Sequence, residues 1–171
     1  DDYFKISQIF FFWYYKNMVK NILENKYCYN SPIGKLEFTL KEDTLISLKP
    51  AESESYFNKD TLYSTEVKKQ LEEYFLKKRK KFDLKIALTG APFQKAVWEE
   101  LIKIPYGCTL SYGAIAENIG NKNAYRAVGT ACNKNPILII VPCHRVVAKN
   151  DLGGYLLGLK NKKFFLELET T

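Results

Sequence analysis

The stretch Ser111-Tyr112-Gly113-Ala114-Ile115-Ala116-Glu117-Asn118-Ile119-Gly120, continued by Asn121-Lys122-Asn123-Ala124-Tyr125-Arg126-Ala127-Val128-Gly129-Thr130-Ala131, decides how the C-terminal half folds. Ser111 can cap a short helix whose apolar positions are Tyr112, Ile115, Ala116 and Ile119, and Gly120 ends it. Asn123 then opens a second helix running through Ala131. Two helices joined by a tight turn containing Gly predict a helix-turn-helix. The second helix is small on most faces, at Ala124, Ala127, Gly129 and Ala131. Such faces suit close approach to a nucleic-acid groove or to a neighbouring helix, and spacing alone leaves both readings open.

Downstream, Asn133-Lys134-Asn135-Pro136 leads into the apolar run Ile137-Leu138-Ile139-Ile140-Val141, which predicts a strand. Pro142 would end that strand and present Cys143 beyond its edge, beside the chain's only histidine, His144. The thiolate is the nucleophilic form of cysteine, and a neighbouring base lowers the cost of making it. Taken alone, a Cys-His pair belongs to packing more often than to chemistry.

Upstream, Phe93 to Ile104 predicts a helix with Val97, Trp98, Leu101 and Ile102 on its apolar face, stopped by Pro105-Tyr106-Gly107. Around Thr89-Gly90-Ala91-Pro92 the pattern changes from mixed strand and helix to mostly helix, which sets a boundary near residue 88. Before it, Lys26–Tyr29 and Lys35–Leu40 predict two strands about a turn at Ser31-Pro32-Ile33-Gly34, with a third strand over Thr44–Leu48. Thr65–Lys78 predicts an amphipathic helix carrying Val67, Leu71, Tyr74 and Phe75 inward. The run Lys77-Lys78-Arg79-Lys80-Lys81 reads as a solvated helix end rather than a DNA contact.

Twenty-six Lys and Arg against nineteen Asp and Glu in 171 residues give a net charge of +7, which favours a polyanionic partner. Cys28, Cys108, Cys132 and Cys143 lie far apart without CxxC spacing, so no zinc motif, metal site or disulfide framework is indicated, and a reducing, cytoplasmic compartment is expected. Ile9-Phe-Phe-Phe-Trp-Tyr-Tyr15 is too short to span a bilayer, which takes about 20 residues. No membrane partner is expected. Met18 is the only methionine, so residues 1–17 read as an extra aromatic leader ahead of the natural start. The expected organisation is this leader, an N-terminal structural domain over 18–88 and a C-terminal domain over 89–171.

Four blocks resemble the O6-alkylguanine-DNA alkyltransferases, also called methylated-DNA-protein-cysteine methyltransferases. They are Pro92-Phe93-Gln94 with Val97-Trp98, then Ile104-Pro105-Tyr106-Gly107 with Ser111-Tyr112, then Arg126-Ala127-Val128-Gly129 with Asn135-Pro136, and Ile140-Val141-Pro142-Cys143-His144-Arg145-Val146-Val147. The resemblance implies a small ribonuclease-H-like α/β N-terminal domain joined to a mainly helical, winged-helix-like C-terminal domain that carries the chemistry. It implies direct, stoichiometric DNA repair without a cofactor. Cys143 would be the nucleophile, His144 its base acting through a water, Glu169 the acid orienting the imidazole, with Glu167 as the alternative, and Asn135 the brace of the network. The partner would be double-stranded DNA bound through its minor groove by a monomer. The alkylated guanine, or O4-alkylthymine, would be flipped out, since a stacked base is beyond reach. Arg126 would fill the vacated stack, Tyr112 would rotate the nucleotide and donate toward the base, and Phe93, Gln94, Lys95, Ala124, Ala127 and Gly129 would complete the DNA surface.

The resemblance places Cys132, Val146, Tyr155, Leu156, Leu157 and Gly158 around the base pocket. The family presents small or sometimes bulky residues after the Tyr; here Leu156 replaces a common hydroxyl donor and Leu157 should narrow the entrance. Methyl adducts should therefore be accepted better than benzyl adducts. A lesion binder without transfer, like the family's alkyltransferase-like relatives, is the alternative, but those proteins replace the reactive cysteine that this chain keeps.

Overall fold

The computed structural model describes residues 24–52 and 57–170. The leader and Met18 lie outside the described residues. The chain first forms a three-stranded antiparallel sheet in the order β1 (Glu24–Ser31), β2 (Gly34–Lys41), β3 (Thr44–Pro50). The first hairpin closes where Ser31 pairs with Gly34, the Ser31 hydroxyl donating to Gly34 O at 2.6 Å. Central β2 buries Leu36, Phe38 and Leu40.

Helix α1 (Leu62–Phe75) starts three residues earlier than its apolar spacing suggests, because Thr61 caps it reciprocally. Ser64 N donates to Thr61 Oγ1 at 3.1 Å and Thr61 N to Ser64 Oγ at 2.8 Å. Val67, Leu71 and Tyr74, at i, i+4 and i+7, are fully buried. Helix α2 (Pro92–Ile102) begins on a proline, whose missing N–H costs nothing at a first helical position, and it buries Val97, Trp98 and Leu101. The Trp98 indole donates to Ala131 O at 2.9 Å, tying α2 to the helix-turn-helix.

That motif consists of α3 (Tyr112–Asn118), capped by Ser111 Oγ accepting from Ala114 N at 3.0 Å, and α4 (Tyr125–Asn133). Gly120 takes φ +75° after α3, as a helix-ending residue does. The second helix opens at Ala124, not at Asn123, and without a side-chain cap. Short β4 (Leu110–Ser111) pairs in parallel with β5 (Val146–Val147), and α5 (Gly158–Glu169) closes the described chain.

The run Ile137–Val141 is not a strand. Only Ile137 forms a bridge, to Leu48, and the chain then coils through a turn in which Val141 N donates to Ile137 O at 3.0 Å and Ile139 adopts φ +73°. An apolar run buried on every side has no periodicity to distinguish turn from strand, and here all but the half-buried Ile140 are buried. The turn sits against β3, with Leu48 N donating to Pro136 O and Leu138 N to Leu48 O, both at 2.9 Å. One apolar core thus runs from Phe38 and Leu45 through Ile137 and Val141 to Phe165.

Candidate active site

The turn delivers the chain to a single 3-10 turn, Cys143–Arg145, which begins after Pro142 rather than at a strand edge. All three side chains are buried. Asn135 braces the thiol: its Nδ2 donates to Cys143 Sγ at 3.2 Å and to Val141 O at 2.7 Å, while its Oδ1 accepts from Ile137 N at 3.0 Å. Burial pushes the Cys143 thiol up to about 11, although the Asn135 hydrogen bond and the Lys162 charge work the other way. Proximity to His144 therefore does not make a resting thiolate.

Among the described residues His144 makes no hydrogen bond to the sulfur. Its Nε2 lies 2.9 Å from Glu169 Oε1, and its Nδ1 has no hydrogen-bond partner among the described residues. Burial would raise the Glu169 carboxyl, but the hydrogen bonds from His144 and Arg145 prevail and hold it well below the usual carboxylate range. An ionised carboxylate only accepts, so Nε2 carries the proton and Nδ1 keeps its lone pair. Burial lowers the His144 imidazole more than Glu169 raises it, so the ring rests neutral. Phe165 stacks on it with centroids 4.9 Å apart.

Glu169 is buried and saturated with donors. Besides His144, Oε1 accepts from Tyr74 Oη at 2.7 Å and from an Arg145 terminal nitrogen at 2.9 Å; Oε2 accepts from Arg145 Nε at 2.9 Å and Gly107 N at 3.2 Å. Gly107 has φ +74°, and a Cβ there would stand 2.8 Å from Glu169 O, so the close approach needs glycine. Glu167 is exposed and takes no part.

The face around Tyr112 is more open. Half-buried Tyr112 donates through Oη to Gly154 O at 3.2 Å, and a cavity of about 220 Å3 is lined by Tyr112, Tyr125, Gly129, Asn133 and Gly154. A Cβ on Gly153 would come within 2.7 Å of the Tyr112 ring. Arg126 and Ala127 are exposed on α4, the Arg126 guanidinium 5.7 Å from the Tyr125 ring centre. Gly129 is half-buried, and Ala124 sits half-buried at the helix start. Lys95 is exposed and Phe93 half-buried, whereas Gln94 folds back so that its Oε1 accepts from Ala91 N at 3.0 Å. Cys132 and Val146 are buried in the core. Tyr155 stands edge-on to His144, its buried hydroxyl without a partner among the described residues. Leu156 is exposed, Leu157 half-buried, and Gly158 takes φ +80°.

Residues 92–171 match a family model described as 6-O-methylguanine DNA methyltransferase, DNA binding domain, and residues 26–88 match the ribonuclease-like domain of the same name. The chain belongs to the 6-O-methylguanine DNA methyltransferase family. The methylated-DNA–protein-cysteine methyltransferase of Methanosarcina barkeri is 47% identical over 146 residues, spanning 81% of this chain and 92% of that protein. Its counterpart in Methanosarcina acetivorans is 57% identical over 105 residues, or 61% of this chain and 67% of that one. The fold is similar to the crystal structure of Mycobacterium tuberculosis OGT in complex with DNA, at 42% identity and a TM-score of 0.78, covering 85% of this chain and 92% of that one. The family's two-part architecture, a small α/β N-terminal unit and a mainly helical C-terminal unit, is the one described above.

Three residues that the structure packs into this network escaped the motif reading. Arg145 lay inside a quoted block without a role. Lys162 is fully buried and donates to Val146 O at 2.5 Å and Gly154 O at 2.9 Å, joining the turn after Cys143 to the loop beside Tyr112. Its signal was a lysine three residues before Phe165 on the buried stripe of α5. Tyr74 showed only as a core position of α1. Among the described residues no group of three or more His, Cys, Asp or Glu is placed to hold a metal ion.

Proposed function

We propose that this protein repairs DNA by taking the alkyl group of O6-alkylguanine directly and irreversibly onto Cys143. The observation that carries the reading is the buried chain Asn135–Cys143 and His144–Glu169, in which the thiol is braced and the imidazole is held neutral with Nδ1 unpartnered. The thiol proton passes through a water to Nδ1, and the Glu169 carboxylate stabilises the imidazolium that forms. The sulfur lone pair then bonds to the alkyl carbon while the carbon–O6 bond breaks, its electrons leaving on guanine. The guanine anion gains a proton from the Tyr112 hydroxyl, which recovers one from the imidazolium by way of solvent. The thioether product has no route back to thiol, so each molecule acts once and needs no cofactor.

The exposed face of α4 suits a duplex substrate: its small residues allow close approach, and exposed Arg126 is the side chain assigned to fill the stack left by a flipped nucleotide. A monomer suffices for this chemistry, and O4-alkylthymine fits the same attack. Incubation with a duplex containing O6-methylguanine, followed by intact-mass spectrometry and peptide mapping, tests the proposal. One methyl on Cys143, saturating at one per molecule and lost in Cys143→Ala, is the expected result; binding without mass change would mark a lesion sensor.

A further inference from the structure

The Glu169 carboxylate is held by one donor from outside the helical unit. Tyr74 belongs to α1, is fully buried, and donates to the same Oε1 that accepts from His144, across 95 residues of sequence. Its ring packs at 6.4 Å on Phe165, the residue stacked on His144, and edge-on to Tyr106 at 6.1 Å. Phe82 contributes a further tilted contact at 5.4 Å. A hydroxyl braced on these sides has little freedom to leave the carboxylate. Burial and the Glu169 charge push the phenol far above its ordinary range, so Tyr74 acts only as a donor.

We propose that Tyr74 is a positioning residue for alkyl transfer: by sharing Oε1 with His144 it fixes the carboxylate and limits how tightly Glu169 holds the imidazolium, so the N-terminal unit sets the basicity of the relay. This rests on the reading of Cys143, His144 and Glu169 given above. A hydrogen bond donated to one lone pair of a carboxylate oxygen withdraws density from the other. Removing it strengthens the His144–Glu169 bond and raises the pH at which the imidazole becomes a free base. Glu169 is faced by His144 and Arg145 from the 3-10 turn, Tyr106 and Gly107 from the loop after α2, Tyr155 ahead of α5 and Tyr74 from α1. His144 additionally feels Lys162 from α5. Tyr74 is the member of this set that joins the carboxylate to the sheet-bearing half of the chain.

The test is the rate of methyl transfer to Cys143 from an O6-methylguanine duplex, measured against pH for the wild type, Tyr74→Phe and a protein with 3-fluorotyrosine at position 74. Tyr74→Phe should slow transfer near neutrality about fivefold, the worth of one hydrogen bond, and move the acid limb of the profile upward. Fluorotyrosine keeps the ring and hydroxyl but donates more strongly, so its acid limb should move down. Val67→Ala, a buried change on the same helix far from the carboxylate in role, should lower stability without moving the limb. If Tyr74→Phe does not fold, the fluorotyrosine protein decides alone. Limbs coincident with the wild type's would overturn the role of Tyr74; wild-type protein that takes no methyl on Cys143 would overturn the site reading and this proposal together.

Discussion

Arg145 and Glu169 meet side-on, two N–H donors on two carboxylate oxygens at 2.9 Å each, although they stand 24 positions apart in the chain. The third direction of the guanidinium is closed by Ile104 O at 2.6 Å. Such a fork fixes the plane of the carboxylate, and the plane of the carboxylate fixes the ring of His144. Glu169→Gln leaves the Arg145 charge buried without a counter-charge, a loss of about 3–5 kcal/mol. At roughly 2–4 °C per kcal/mol for a chain of this size, the melting temperature should fall by about 6–20 °C. Differential scanning calorimetry measures it, and methyl transfer should fall in the same protein.

Stability should be greatest between the ordinary pKa values of the buried imidazole and the buried thiols. His144 is lowered from 6.5 by burial, so below that pH the unfolded chain binds a proton that the folded chain refuses, and stability falls with acid. Glu169, lowered from 4.5, adds to the loss further down. Cys143 and Cys132 are pushed up from 9.0, to about 11 and about 12, so above pH 9 the unfolded chain sheds protons that the folded one keeps, and stability falls with alkali. Melting temperatures from pH 4 to 11 should trace this dome, with a shallower alkaline limb in Cys143→Ala.

Lys162→Met removes the charged donor shared by Val146 O and Gly154 O, a loss of about 1.5–3 kcal/mol, although Gly154 O keeps the Tyr112 hydroxyl. It also removes the cation whose charge eases ionisation of Cys143. Methyl transfer should be slowed at neutral pH and recover as the pH is raised; equal slowing at every pH would point to a purely structural lysine.

Arg126→Ala should separate extrusion from chemistry. Unstacking a paired nucleotide costs a few kcal/mol, so transfer from duplex should fall on the order of tenfold to a hundredfold. Transfer from the free modified base, already unpaired, should change little. Parallel rate measurements on the two substrates make the comparison.

Leu157 is half-buried against the core, next to exposed Leu156. Methyl adducts should react faster than benzyl adducts in the wild type, and Leu157→Ala should narrow the ratio. Competition between the two substrates, read by mass, checks it.

The local elements were written plainly in the chain. Ser111 as a cap, Gly120 as a stop, Pro92 at a helix start and the Ser31–Gly34 turn each act within a few residues of themselves. The motif residues Cys143, His144, Asn135 and Glu169 could be named from sequence, and they stand together in the fold. What escaped depended on distance or on ambiguity. The spacing of α1 places Tyr74 in the core, but nothing local says that its hydroxyl meets a carboxylate 95 residues away. Ile137–Val141 carries apolar residues at every position, so burial was legible and conformation was not. Asn123 looked like a helix cap, yet the helix begins at Tyr125 without one, since tertiary packing against α2 and α3 holds it.

The buried, protonated state of Cys143 bears on how long the protein keeps. Burial holds its thiol well above the ordinary range, so the resting sulfur is protonated at pH 7. The residue is also only 3% exposed, so peroxides and diffusing electrophiles meet a poor and shielded target. A reagent that can be spent once gains from being inert in storage, and the same packing that keeps the resting thiol protonated keeps the idle pool of protein competent.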